Sequence, residues 1–291
     1  MSITAAQVKE LRERTGAGMM ECKKALVASG GDIDAAVDAM RKSGLAKADK
    51  KAGRVAAEGA VIIRQSADNQ HAAILEINSE TDFVSGGDDF RNFIDAVADA
   101  VLAGLPENMD ALNALSIGSQ SIEEARRSLI AKIGENVQIR RFELIESAGV
   151  LASYLHDRRI AVVVSAKGGD ENLARDIAMH VAAISPMCVS ADDVPEEKLA
   201  KEREILVEQA RTEGKPDDIV EKMVDGRMRK YLAEITLTGQ PFVKDSDITV
   251  GKLLAQNKAA VVRFVRFEVG EGIEKVEENF ADEVMAHVQG K

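Results

Sequence analysis

Aromatic residues are scarce: two Tyr, eight Phe and no Trp amount to 3% of the chain. Ala, Val, Ile, Leu and Met must therefore fill the interior, and a Phe that falls outside the apolar periodicity needs a separate reason. Cysteine is equally sparse. Cys22 and Cys188 lie far apart without a CxxC partner, which excludes a disulfide framework or a Cys-based zinc site and fits a reducing cytosol. No stretch approaches the roughly 18 consecutive apolar residues of a membrane span. The opening MSITAAQVKELRERTG carries charge where a signal peptide has its apolar core, so the expectation is a cytoplasmic protein with no membrane partner. A net charge of −11 argues against direct binding of nucleic acid, which needs a basic footprint.

Enzyme signatures are missing too. The chain contains no GxGxxG, GxxxxGK[ST], HExxH or GxSxG. His71, His156, His180 and His287 lie on different predicted elements without metal-ligand spacing. His180 falls at a core position of a helix and reads as a packed histidine, and His156 falls in a hairpin turn and reads as solvated. The expectation is a protein that is not an enzyme, with no catalytic residue, metal or cofactor.

What is present is organised. Residues 1–54 hold 11 Lys and Arg against 7 Asp and Glu, a small basic head on an acidic body. Solvated faces or a partner with an acidic patch would both account for it. Thr4-x-x-Gln7 is a capping box for a first helix with Val8 and Leu11 on one face, ended by Gly16-Ala17-Gly18. Met19 to Ala28 read as a second helix, and Asp32 caps a third that carries Ile33, Val37 and Met40 and ends near Gly44. AKADKKAGR (46–54) reads as a basic linker. So small a helical unit suits recognition better than catalysis.

From residue 55 the pattern changes and repeats. EGAVIIRQSADNQHAAILEIN and AGVLASYLHDRRIAVVVSA are each two apolar runs around a polar turn, followed by Gly-Gly-Asp and a helix. Adding 83 carries Phe90, Ile94, Ala98 and Val101 onto Leu173, Ile177, Val181 and Ile184. The fold class is therefore α+β, with a core of two related β-hairpin/helix subdomains. The copies differ at one place: 14 positions separate Ala72 from Gly86, but 7 separate Ala161 from Gly168, and the surplus falls on SETDFVS. A segment that the second copy folds without reads as a projecting loop, where function commonly sits. Phe83 either tucks into the core with Asp82 capping the next helix, or the pair is a probe: an apolar anchor beside a carboxylate able to act on a cation or its ligands.

Residues 195–233 read as an antiparallel helical hairpin around Gly214-Lys215-Pro216, inserted in the second subdomain, with Leu199, Leu206, Val220, Met223, Val224 and Tyr231 as its apolar stripe. Such a hairpin packs on its own core or binds another copy. A last helix carries Ile273, Val276, Phe280, Val284 and Val288 on one face.

LRERTGAGMMECKKAL (11–26), EINSETDFVS (76–85), AKIGENVQIRR (131–141), AMHVAA (178–183), LTGQPFV (237–243) and RFEVGEGIEKVE (266–277) together resemble the bacterial elongation factor Ts family, the guanine-nucleotide exchange factors of elongation factor Tu. The resemblance runs nearly end to end. It implies a ubiquitin-associated-like three-helix module with its linker at 1–54, core subdomains at 55–141 and at 142–190 with 234–266, a coiled-coil dimerisation hairpin at 191–233 and a C-terminal helical module at 267–291. It implies that the partner is elongation factor Tu, GDP-bound and nucleotide-free, and that Thr81, Asp82, Phe83 and Val84 dislodge Mg²⁺ from its GDP site. By the same resemblance Ile133 and Gly134 touch the GTPase domain, the N-terminal module with Leu11 and Arg12 grips it elsewhere, and His156 and His180 are further contacts. The chain departs from the family pattern after TDFVS, where Gly86 and Gly87 stand in place of a residue that is commonly basic or Asn. A non-exchanging adaptor or holding protein is the alternative function.

Overall fold

The computed structural model describes residues 3–212 and 216–274. Helix and strand are mixed along the chain, and the class is α+β. In chain order the elements are α1 (Ala5–Thr15), α2 (Met19–Ala28), α3 (Ile33–Lys51), β1 (Glu58–Gln65), β2 (His71–Ser79), α4 (Asp82–Gly86), α5 (Asp88–Gly104), α6 (Met109–Ala114), β3 (Ser116–Ile117), β4 (Gln120–Ser121), α7 (Ile122–Ile133) and β5 (Val137–Glu146). There follow β6 (Val150–His156), β7 (Ile160–Lys167), α8 (Glu171–Ile184), a 3₁₀ turn (Ala191–Asp193), α9 (Glu196–Thr212), α10 (Asp217–Ile235), β8 (Pro241–Phe242), β9 (Asp245–Thr249), α11 (Val250–Gln256) and β10 (Ala260–Glu268). Among the described residues the chain forms two compact units, one from 3–60, 76–141 and 269–274, the other from 61–75 and 142–268.

In the first unit α1, α2 and α3 close around Val8, Leu11, Cys22, Leu26 and Ala36. The Thr4 capping box forms: the Gln7 amide donates to Thr4 Oγ1 at 3.3 Å and the Thr4 amide donates to Gln7 Oε1 at 3.0 Å. Helix α3 does not stop near Gly44, as the glycine suggested, but runs to Lys51 and takes in most of the segment read as a linker. Gly44 serves packing instead. A Cβ there would lie 3.0 Å from the Cβ of Ala131 on α7, so its absence lets the two helices approach, and the Ala and Lys residues beyond it favour helix. Helix α7 opens on a second capping box, Ser121 with Glu124.

In the second unit β6 and β7 pair antiparallel from Val150↔Ala166 to His156↔Ile160, and β10 adds to the other edge of β7 from Ala260↔Lys167 to Glu268↔Ile160. Helix α8 covers the hairpin with Ile177, Ala178 and Val181, which pack with Val162, Val164 and Leu237. The sheet orders are β1-β2-β5 and β10-β7-β6. In both sheets a later strand joins the second strand of a hairpin. The offset of 83 holds for Ile177 and Val181, which are buried like Ile94 and Ala98. It fails at Ile184, which is exposed where α8 ends in the left-handed Ser185.

Helices α9 and α10 share a small core of Leu206, Ala210, Val220 and Val224. The base of this hairpin is closed by Met187 N–H to Ile235 O at 2.8 Å and Leu237 N–H to Cys188 O at 2.9 Å. The turn expected at Gly214-Lys215 and the final helix expected through Val276, Phe280, Val284 and Val288 lie outside the described residues.

The close approach at Gly44 makes a specific demand on residue size. Gly44→Leu is expected to force α3 from α7 and cost about 1–3 kcal/mol, measured by denaturant unfolding, with Gly44→Ala losing much less because its contact is a single methyl.

Candidate partner-docking site

The site begins at the inner end of β2. The Glu76 side chain is fully buried, and such a charge survives only if its oxygens are filled. Oε1 accepts from Gly270 N–H at 2.8 Å, Arg140 Nη1 at 2.9 Å and Asn78 Nδ2 at 3.1 Å, and Oε2 accepts from Arg141 Nε at 2.6 Å. Burial pushes the Glu76 carboxyl upward, but Gly270 N–H, Arg140, Asn78 and Arg141 outweigh it and hold the group below its ordinary value. Arg141 Nη2 also reaches Glu271 Oε2 at 3.1 Å, and Arg140 donates to the Glu271 carbonyl. Three stretches distant in sequence, around Glu76, Arg140-Arg141 and Gly270, are thereby tied at one carboxylate.

Past Asn78 the chain is braced a second time. The Asn136 amide donates to Glu80 Oε1 at 2.6 Å, while the Thr81 amide donates to Glu135 Oε2 at 3.1 Å and the Thr81 hydroxyl to Glu135 Oε1 at 2.9 Å. Ser79 Oγ donates to the Thr81 carbonyl at 2.9 Å. From this anchor rises α4, a single helical turn where the sequence suggested a loop. Thr81 caps it, accepting from Val84 N–H at 3.4 Å. Asp82 is its first residue and not a cap, and α5 opens on Gly87 with no side-chain cap. Phe83 does not return to the core. Its side chain is 88% exposed, the most exposed large apolar residue among those described, with the exposed Asp82 beside it. An exposed ring of this size leaves about 2 kcal/mol or more available to a surface that covers it.

Ile133 and Gly134 lie on the same brace. Ile133 ends α7, and Gly134 is its left-handed cap at φ +86°, a conformation that favours glycine. Lys51 Nζ donates to the Gly134 carbonyl, placing a cation at the helix C-terminus, where the dipole favours it. Lys132 Nζ pairs with Asp89 Oδ1 at 2.6 Å, and its aliphatic chain lies 3.0 Å from where a Cβ on Gly16 would sit.

Thr81 to Val84 and Ile133–Gly134 are thus brought together by Glu135, while the other expected residues lie elsewhere. Leu11 is fully buried in the three-helix core; Arg12 is exposed on α1. Met19, Met20 and Val27 are exposed on α2. In the second unit His156 is exposed at the end of β6, with the Tyr154 hydroxyl 3.2 Å from its Nδ1. His180 is fully buried: Nδ1 accepts from Val243 N–H at 3.1 Å, so Nε2 carries the proton toward Gln240 Oε1 at 3.0 Å. Burial lowers the His180 pKa, partly opposed by Gln240. Leu11 and His180 do not themselves reach the surface; the exposed residues next to them are Arg12, which follows Leu11 on α1, and Val243, whose amide His180 holds.

Glu80, Glu135, Asn136 and Lys51 went unnoticed in the sequence. Glu135 and Asn136 directly follow Ile133-Gly134, but their partners lie more than 50 positions away, beyond any local pattern. Among the described residues no group of three or more His, Cys, Asp or Glu could hold a metal ion, and no helix is long and apolar enough to cross a membrane.

The structure thus presents a ring and a carboxylate together on a braced turn. A family model described as elongation factor TS matches residues 80–271. The chain is 60% identical to elongation factor Ts of Thioalkalivibrio sulfidiphilus (strain HL-EbGR7), over 100% of both chains. It is 59% identical to that of Alkalilimnicola ehrlichii (strain ATCC BAA-1101 / DSM 17681 / MLHE-1), again over 100% of both, and 57% identical to that of Legionella pneumophila (strain Paris), over 99% of both. The chain belongs to the elongation factor Ts family, and so to the elongation factors of protein biosynthesis.

The Glu76 knot carries a pH dependence. A carboxylate held below its ordinary value of 4.5 contributes stability that is present above that value and lost as pH falls through the folded-state value. Glu76→Gln is expected to lower stability at pH 7 by about 2 kcal/mol or more and to flatten the loss below pH 4.5, read from thermal unfolding between pH 7 and 3.

Proposed function

We propose that this chain is a guanine-nucleotide exchange factor that releases GDP from elongation factor Tu by disturbing the Mg²⁺ site of its GTPase domain. The observation that carries the reading is the exposure of Phe83 on α4, at the place where the family resemblance puts the intruding residue. Phe83 wedges between side chains of the GTPase domain, and Asp82 acts on the groups that order the metal's water shell. Ile133-Gly134 sits on the same brace and bears on the same domain, and the three-helix module grips from another side through Arg12.

The energetics need no bond making. Mg²⁺ and GDP bind the partner cooperatively, and a protein that favours the metal-free, nucleotide-free state weakens GDP by the same factor by which GDP weakens it. An accelerated release further requires a lower barrier, which insertion of the ring supplies by stabilising the opened site. The protein is accordingly not an enzyme in the usual sense, has no cofactor of its own and works in the cytoplasm. The domain division over 1–54, 55–141, 142–190 with 234–266, 191–233 and 267–291 belongs to the same reading, as do the two related core subdomains and dimerisation through the α9–α10 hairpin. In its favour is that hairpin's separate small core and its exposed Ile205 and Ile219.

The test is stopped-flow release of a fluorescent GDP from elongation factor Tu with Mg²⁺ present. The wild type is expected to speed release many-fold, and Phe83→Ala to slow the stimulated rate at least tenfold, about 1.4 kcal/mol, with unchanged thermal unfolding. Binding without any acceleration by the wild type would favour the adaptor instead.

A further inference from the structure

Helix α4 has five residues and none of them is buried, so neither helical cooperativity nor core packing accounts for its order. Its N-terminus is fixed from outside. The Thr81 hydroxyl faces both ways: it donates to Glu135 at 2.9 Å and accepts from the Val84 amide inside α4 at 3.4 Å. The Thr81 backbone amide donates to the other Glu135 oxygen at 3.1 Å, so one carboxylate takes both donors of the capping residue. Bonds to an ionised acceptor are the stronger kind.

Glu135 is itself held. It lies between Gly134, whose carbonyl accepts from Lys51 of α3, and Asn136, whose amide donates to Glu80 at 2.6 Å. The neighbours of Glu135 and Thr81 are thus bonded in the reverse sense, and the two segments cannot slide past one another without breaking both links.

We infer that Glu135 is a positioning residue for the probe: through the Thr81 hydroxyl it fixes the direction in which α4 presents Asp82 and Phe83, so that the ring is ordered before it meets a partner. The ordering cost of a mobile probe, which would otherwise be borne as the ring inserts after docking and so add to the barrier to release, is met during folding. The role in nucleotide release rests on the exchange reading above; the role in ordering α4 does not.

Two measurements on the full chain separate these. In amide hydrogen exchange, Glu135→Ala and Thr81→Val are expected to speed exchange at Val84, Ser85 and Gly87 by at least about tenfold while core amides of α5 stay protected, and Thr81→Ser, which keeps the hydroxyl, is expected to stay within about twofold of wild type. Unchanged protection at these amides in both Glu135→Ala and Thr81→Val overturns the inference. In GDP release from elongation factor Tu, Glu135→Ala is expected to lower the maximal stimulated rate about tenfold with little change in the half-saturating concentration, and to add nothing in a Phe83→Ala background. An equal loss in both backgrounds overturns the positioning role. A wild type that fails to accelerate release, with the amides still deprotected by Glu135→Ala, overturns the exchange reading and leaves the positioning role standing.

Discussion

A single buried carboxylate carries the first unit. Removing a charge from water costs several kcal/mol even after relaxation, and Glu76 is tolerated because two guanidinium groups, one backbone amide and one side-chain amide converge on its oxygens. Three of those donors come from β5 and from the chain just after β10, so the bonds that satisfy the charge also fix where these segments meet β2. Were any one donor withdrawn, the rest would face an under-satisfied charge in the interior, which makes the knot all-or-none in a way that an apolar contact of equal strength is not.

The exposed ring depends on that rigidity. Three residues separate Glu76 from Glu80, and Glu80 and Thr81 are both bonded to the segment that follows α7. The frame is stiff up to Thr81, and from Asp82 it is bare. An apolar side chain left in water is a liability for association, tolerable here because it is one ring beside the carboxylate of Asp82, not a patch.

Much of this was legible in the sequence because it rests on local chemistry. Thr4 with Gln7 and Asp32 before its helix each formed the cap their spacing required, and the unequal lengths of the two hairpin copies singled out SETDFVS. Gly44 was misread because glycine ends helices and also lets helices touch, and only the neighbour at Ala131 tells these apart. The turn α4 looked like a loop because Ser85-Gly86-Gly87 resembles a break, whereas the force that winds it comes from Glu135, 54 positions away. Periodicity placed His180 in the core correctly, but its bond to the amide of Val243 depends on how the segment returning from the α9–α10 hairpin lies against α8.

Gly86 has a bearing on how such a protein can change over generations. A Cβ there would meet nothing within 4 Å, and its backbone lies outside the left-handed region, so neither sterics nor strain demands glycine. The position lies three residues from the ring and directly before the capping residue of α5. A lineage can therefore alter charge, bulk or helical tendency beside Phe83 without disturbing either brace, while the fold beneath stays constant.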